Sequence, residues 1–311
     1  MKETYDLIDA IVANISKVVV GKADTVRLVI AALLARGHVL LEDKPGVGKT
    51  VLARALAASV TCNFKRIQCT PDLLPIDVTG YVDVRTGAFK AGPIFGNIVL
   101  ADEINRATPR TQSALLEAMA ERQVTVDGVT HKLPDPFFVI ATQNPVEHRG
   151  VNDLPEAQLD RFQILVGLGY ADAEQEKKLV LDRQRSDPLD SIGPVTDVEG
   201  LRKLLDAVLE VRVTESLIDY AVSLVRATRD SKLLEIGAST RSTLQLVRLA
   251  QSHALANQRN FVIPDDLKAL AHHVLPHRVT PASAPAESIS ITQWKRECVR
   301  TILAEVKTPD A

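Results

Sequence analysis

A chain of 311 residues, 46% hydrophobic and 24% charged, is long enough to bury a sizeable core, and its length points to two domains. The 37 Lys and Arg against 39 Asp and Glu leave a formal net charge of −2, without the basic excess that marks a nucleic-acid footprint. Cys62, Cys69 and Cys298 are too few and too irregularly spaced for a zinc site or a disulfide framework, so a reducing, cytoplasmic setting fits.

In chain order, the opening MKETYDLIDAIVANI carries acids in its first helix-like turns and no long apolar run, which supports neither a signal peptide nor a membrane span. Residues 38–50, HVLLEDKPGVGKT, read as a buried strand entering a glycine-containing loop, with the helical pattern VLARALAAS after it. Successive N–H groups of such a loop form a nest for phosphate oxygens, at the positive end of the following helix. The pattern predicts a nucleoside triphosphate site, with Lys49 reaching the β- and γ-phosphates and the Thr50 hydroxyl on Mg²⁺. The consensus opens on glycine, and Asp43 stands there instead.

FKRIQC is the second strand. Between it and the third lies VTGYVDVRTGAFKAGPIFG, glycine-rich and alternating in polarity, which predicts an inserted β-hairpin. The third strand, NIVLAD, ends in Asp102 followed by Glu103. Adjacent carboxylates at the end of a buried strand repel each other, so they either face solvent in a turn or serve a cation and a water. Beside a phosphate loop, the second reading assigns Asp102 to Mg²⁺ and Glu103 to the attacking water. QVTVDGVTHKL follows as a second hairpin, with Asp127 and Gly128 as its turn.

FFVIAT, the fourth strand, ends near Asn144, either a turn residue before Pro145 or an amide positioned for the lytic water at the carboxyl edge of the sheet. LPEAQLDRF then leads into the fifth strand, FQILVGL. Arg161 in that segment fits an ion pair with Asp160 or Glu156 as readily as a catalytic role, and spacing does not decide between them.

Two prolines and a glycine between Ser186 and Pro194 mark the expected domain boundary, dividing the chain into residues 1–187 and 188–311. Four helical stretches follow: LRKLLDAVLE, preceded by Thr196 and Glu199 in capping-box spacing, SLIDYAVSLVRATR, STLQLVRLAQSHALAN and PDDLKALAHHV. Arg241 falls in the first turn of the third. There it opposes the helix dipole, so an anion nearby would account for it. His273 and His277 are four apart, but Pro276 interrupts the helix that would align them, which favours capping or surface roles over metal binding for them and His272.

These segments together resemble the MoxR family of AAA+ ATPases over residues 18–279. The run ADEINRATPRTQSALLEAMAERQVTVDG is the most specific part, supported by RIQCTPDLLPIDVTG, ATQNPVEHRG, GASTR and RNFVIPDDLKALAHHVLPHR. The resemblance implies an α/β fold: a P-loop AAA+ core with a parallel five-stranded sheet flanked by helices, plus a smaller all-α lid packed over the nucleotide. It implies that Pro45, Gly46, Val47, Gly48, Lys49, Thr50 and Val51 hold ATP, that Thr50 and Asp102 hold Mg²⁺, and that Glu103 and Asn144 orient water. Arg241 corresponds to the family's sensor on the lid, and Arg161 to its arginine finger, which acts on nucleotide held by a neighbouring subunit. A homo-oligomeric ring, hexameric in this reading, follows from that role. The family's work is chaperone-like assembly or metal-cofactor insertion, commonly with a partner protein bearing a von Willebrand factor A domain.

Arg149, Val151, Asn152 and Asp153 depart from the family's usual loop, which questions the subunit contact made there. GAFKAG resembles a loop that some enhancer-dependent transcription activators use to contact RNA polymerase. A switch without turnover and a DNA-directed motor are the competing classes.

Overall fold

A computed structural model of the chain describes residues 1–144, 152–184, 187–286 and 289–309. Two helices, α1 (Lys2–Ser16) and α2 (Ala23–Leu34), precede β1 (Val39–Glu42) and α3 (Lys49–Ser59). Then come β2 (Phe64–Gln68), α4 (Pro75–Thr79), the hairpin β3 (Gly80–Val82) and β4 (Phe89–Ala91), β5 (Ile98–Asp102) and α5 (Pro109–Glu121). A second hairpin, β6 (Gln123–Val126) and β7 (Val129–Lys132), leads to β8 (Phe138–Gln143), α6 (Glu156–Leu159), β9 (Ile164–Val166) and α7 (Ala173–Arg183). The remainder is α8 (Val198–Ala207), α9 (Glu215–Asp230), β10 (Leu234–Ile236), α10 (Thr240–Ala256), α11 (Pro264–Val274), β11 (Thr280–Pro281) and α12 (Ile291–Glu305).

All five expected strands form, and they pair in parallel in the order β2-β5-β8-β1-β9. The three inner strands, β5, β8 and β1, and the edge strand β9 are apolar up to their carboxyl ends because both faces are covered. Val39, Leu41, Ile98, Leu100, Phe138 and Ile140 join one core with α1, α2 and α3. Leu40, Val99, Ala101, Val139 and Ala141 enter another against α5. This alternation is what a strand buried on two sides requires. Chain order reverses direction at β1, between β8 and β9, so the loop after β1 opens at the sheet's switch point.

Both hairpins form. Asp127 and Gly128 take φ of 49° and 80°, the left-handed pair that a two-residue hairpin turn needs. In the inserted hairpin, Gly80 has φ of 94° and a Cβ there would lie 2.2 Å from the Lys90 carbonyl, so glycine is required on both counts.

The C-terminal helices share a continuous core with α1 and α2, and α11 and α12 also border the start of the loop after β1, where the Thr292 hydroxyl donates to Glu42 Oε2 at 3.0 Å. Ser252 of α10 donates to the Ala31 carbonyl of α2 at 2.5 Å, and α11 packs on β9. Apolar Leu246, Leu249 and Ala250 of α10 find their complement on α2, which anchors this helical region to the N-terminal helices. The helical region also contains the antiparallel pair β10–β11, which its helical periodicity did not announce. At α8 the expected capping box shifts by one residue: Asp197 caps the helix, accepting from Gly200 N–H at 2.8 Å. Thr196 belongs to the preceding connection, its N–H held by the Ser59 carbonyl at the end of α3.

Among the described residues, no helix is long and apolar enough to cross a membrane. Phe138 is fully buried at the centre of the sheet. Phe138→Ala is expected to cost about 3–5 kcal/mol, measured as a lowered urea midpoint at unchanged slope.

Candidate functional site

The loop between β1 and α3 owes its shape to two glycines. Gly46 and Gly48 have φ of 85° and 99°, and a Cβ on either would meet nothing within 4 Å. The left-handed backbone turns consecutive N–H groups toward that open space, and Gly48 as N-cap gives α3 no side-chain cap. A concave, uncapped helix start of this kind suits phosphate oxygens. Asp43 is not among the residues with positive φ, which explains why a non-glycine is tolerated at the head of the loop. Its carboxylate accepts from Lys44 N–H at 2.9 Å and from Gly169 N–H at 2.6 Å, clamping the loop to the segment after β9.

Pro45, Gly46, Gly48, Lys49, Thr50, Val51, Asp102, Glu103 and Asn144 line one cavity of about 350 Å³ at the carboxyl ends of β1, β5 and β8. Val47 belongs to the same loop, but its side chain packs against the core. The Lys49 ammonium donates to the Asp43 carbonyl at 2.8 Å. Burial draws its pKa below the usual lysine value, against the attraction of Asp43, Asp102 and Glu103. A cation lying between a phosphate nest and two carboxylates, with the Thr50 hydroxyl beside them, is a donor set that fits a triphosphate with a divalent metal.

Four side chains that the sequence reading did not single out hold the acid pair. The Thr142 hydroxyl donates to Asp102 Oδ1 at 2.7 Å and accepts from Glu103 N–H at 2.8 Å. Arg66 donates to Asp102 Oδ2 at 2.6 Å, and Gln68 and Arg106 each reach Glu103 Oε2 at 3.2 Å. Glu103 itself has φ of 56° and ψ of 51°, a strained conformation for a non-glycine residue and one that concentrates at functional sites. Thr142 was detectable as the polar residue closing an apolar strand. Arg66 and Gln68 depend on the β2–β5 register, which pairs Gln68 with Asp102.

Asn152, from the unusual loop, donates to the Asn105 and Ala107 carbonyls, and Gln112 donates to its carbonyl at 2.9 Å. It thereby docks on the turn that follows the acid pair. Arg149 and Val151 lie outside the described residues.

Arg161 and Arg241 are not at this cavity. They line a second one, about 430 Å³, with Arg36, Arg122 and Arg248. Its walls include Gly37 and His38 before β1 and Gln163 before β9, so it opens at the amino edge of the sheet. Four strand residues separate the two edges, roughly 13 Å at 3.3 Å per residue. Arg36 pairs with Asp135 at 2.7 Å and Arg241 with Asp160 at 3.6 Å. Arg122, Arg161 and Arg248 have no carboxylate partner among the described residues. Burial, and then the nearby charge of Arg36, lowers the pKa of both Arg122 and Arg248. The five guanidiniums share this cavity with Glu121, and Asp135 and Asp160 lie close enough to pair with two of them.

Residues 38–164 match the ATPase family associated with various cellular activities (AAA), and residues 226–295 match the AAA lid domain. The chain is 40% identical to Chaperone MoxR1 of Mycobacterium tuberculosis over 89% of its length and 77% of the relative's. It belongs to the MoxR family of AAA+ ATPases. Protein MoxR of Methylorubrum extorquens is 30% identical over 95% of this chain and 93% of its own. An uncharacterized Bacillus subtilis protein, YeaC, is 48% identical over 99% of this chain and 97% of its own. A crystal structure from Cytophaga hutchinsonii, provisionally assigned as an ATPase, superposes with a TM-score of 0.90 at 36% identity, covering 99% of this chain and 96% of the other. A MoxR-family member with this fold accounts for the phosphate nest, the acid pair and the helical region together.

Thr142→Val keeps the side chain's shape and removes the hydroxyl that orients Asp102. It is expected to preserve the fold and to weaken divalent-cation retention with nucleotide about 10–100-fold by calorimetric titration. Unchanged affinity would show that the hydroxyl orients nothing of consequence.

Proposed function

We propose that this chain hydrolyses ATP in a homo-oligomeric ring, with six subunits as the expected number, and uses the cycle to remodel or mature a partner protein. The observation that carries the reading is the division of the site: the phosphate nest and acid pair lie at one edge of the sheet, the two key arginines at the other. Within one copy Arg161 and Arg241 therefore stand away from the phosphate nest, and a neighbour presenting its amino edge would bring them to it. Arg241 joins Arg161 in that role, rather than sensing the γ-phosphate of its own chain.

Pro45 to Val51 would hold the phosphates through backbone N–H groups, with Lys49 turning from the Asp43 carbonyl toward the β- and γ-oxygens. Mg²⁺ on Thr50 and Asp102 would offset the charge of the β- and γ-phosphates. Glu103 would orient and polarise the attacking water, helped by the Asn144 amide. Arg161 and Arg241 from the neighbour would stabilise charge developing on the transferred phosphoryl group. Residues 1–187 act as the nucleotide-binding unit and 188–311 as the helical unit that carries Arg241 to the subunit boundary.

The relative named a chaperone supports protein remodelling, and metal-cofactor insertion is the other task that the family resemblance implies. Leu74, Ile76, Tyr81 and Val84 stand exposed on α4 and the inserted hairpin, an apolar surface suited to a protein partner such as one with a von Willebrand factor A domain. A cytoplasmic site of action fits the free thiols of Cys62, Cys69 and Cys298.

Steady-state phosphate release tests the reading. Glu103→Gln should bind ATP and stop turning over, whereas Lys49→Ala should lose binding itself. Arg161→Ala should bind normally and lose about 10³–10⁵ in rate. Undiminished hydrolysis by Glu103→Gln would remove that residue from the mechanism.

A further inference from the structure

Arg278 is almost fully buried, with its side chain 1% exposed, in the turn between α11 and β11. An isolated guanidinium in such a place costs several kcal/mol, and apolar packing would usually serve stability as well. Besides the Val274 carbonyl on its own helix-end turn, three of its acceptors lie on one short segment. Nε donates to Asp160 Oδ1 at 2.9 Å, Nη2 donates to the Phe162 carbonyl, and Nη1 donates to the Gln163 carbonyl at 3.3 Å. Arg278 thus grips the residue before Arg161 and the two residues after it. Arg161 itself lies between the four-residue α6 and the three-residue β9, elements too short to fix its direction alone.

The same network reaches Arg241. The second oxygen of Asp160 lies 3.6 Å from Arg241 Nη1 and 3.5 Å from the Ser239 hydroxyl at the start of α10. Gln245, one turn further along α10, accepts from Arg278 Nη2 and donates to the Asp160 carbonyl at 3.4 Å. Gln163 returns a bond to the Gln245 carbonyl at 2.7 Å. Burial lowers the Arg278 pKa to about 10, against the attraction of Asp160, which leaves it charged at neutral pH. His277 beside it is held neutral, first by burial and then by the Arg278 charge.

We infer that Arg278 and Asp160 are positioning residues that hold Arg161 and Arg241 as one rigid unit for delivery to the neighbouring subunit's nucleotide. The inference rests on the proposed exchange of arginines between subunits and adds residues that touch neither ATP nor water. Both arginines would move together, because a shift of α10 against β9 must break the Asp160 contacts.

The test uses Arg278→Lys, which keeps the charge but cannot span the three acceptors, and Asp160→Asn, which keeps the shape but weakens the ion pairs. The second carries the test by itself if the first does not fold. Each full-length variant is assayed alone and mixed with Glu103→Gln subunits, beside an Arg161→Ala plus Glu103→Gln control. Alone, kcat should fall about 10²-fold, the typical cost of a catalytic group displaced by about 1 Å, with KM for ATP near wild type. Mixed, activity should recover, because the variant keeps its own phosphate loop and Glu103 and receives a well-held Arg161 from its neighbour. A side chain that merely stabilised its own fold would not be complemented in this direction. Wild-type kcat, or recovery in the control without recovery for either variant, overturns the inference and leaves the exchange of arginines standing. Failure of the control as well overturns both.

Discussion

Parallel pairing of β1 with β8 on one side and β9 on the other decides where chemistry can happen in this protein. Every strand of the sheet ends at the same edge. The glycine loop, Asp102, Glu103 and Asn144 therefore meet there without further instruction. The same geometry sends the segments that precede β1 and β9 to the other edge, and Arg161 travels with them. Side-chain rotation alone does not carry Arg161 or Arg241 across the width of the sheet, whereas Arg66 and Arg106 already sit beside the acid pair. Under the proposed function, a second copy of the chain brings the two edges together.

Within the nucleotide edge, the acid pair illustrates how a buried strand can end in two carboxylates. Thr142 bridges them through one hydroxyl, accepting from the Glu103 backbone and donating to Asp102. Arg66 and Arg106 place positive charge on their outer sides. Glu103 has a left-handed backbone, and the two carboxylates take different partners, Thr142 and Arg66 for Asp102, Gln68 and Arg106 for Glu103. Divided partnerships of this kind let neighbouring acids serve different purposes, one toward a metal and one toward water.

Much of this was legible in the residues. The strands could be read because burial on both faces makes them continuous apolar runs, and the loop could be read because Gly46 and Gly48 occupy backbone conformations that other residues avoid. What could not be read depends on contacts between distant segments. Gln68 and Arg66 acquire roles through strand register, and Arg278 meets Asp160 across 118 positions of sequence. The surroundings of Arg241 were not legible for a related reason: helical periodicity identifies an apolar face on α10 but does not say that α2 covers it. The cap at Asp197 rather than Thr196 shows the smaller version of the same difficulty, a tertiary bond to Ser59 taking the residue that local spacing favoured.

The claim at the centre is that one nucleotide is served by two copies of the chain. Cryo-electron microscopy of the Glu103→Gln protein assembled with ATP tests it most directly. The account predicts density for the triphosphate in the loop before Thr50, with Arg161 and Arg241 of the adjacent subunit at its γ-phosphate. Nucleotide contacted by the Arg161 or Arg241 of its own chain, or an assembly whose amino edges face away from bound ATP, would contradict it.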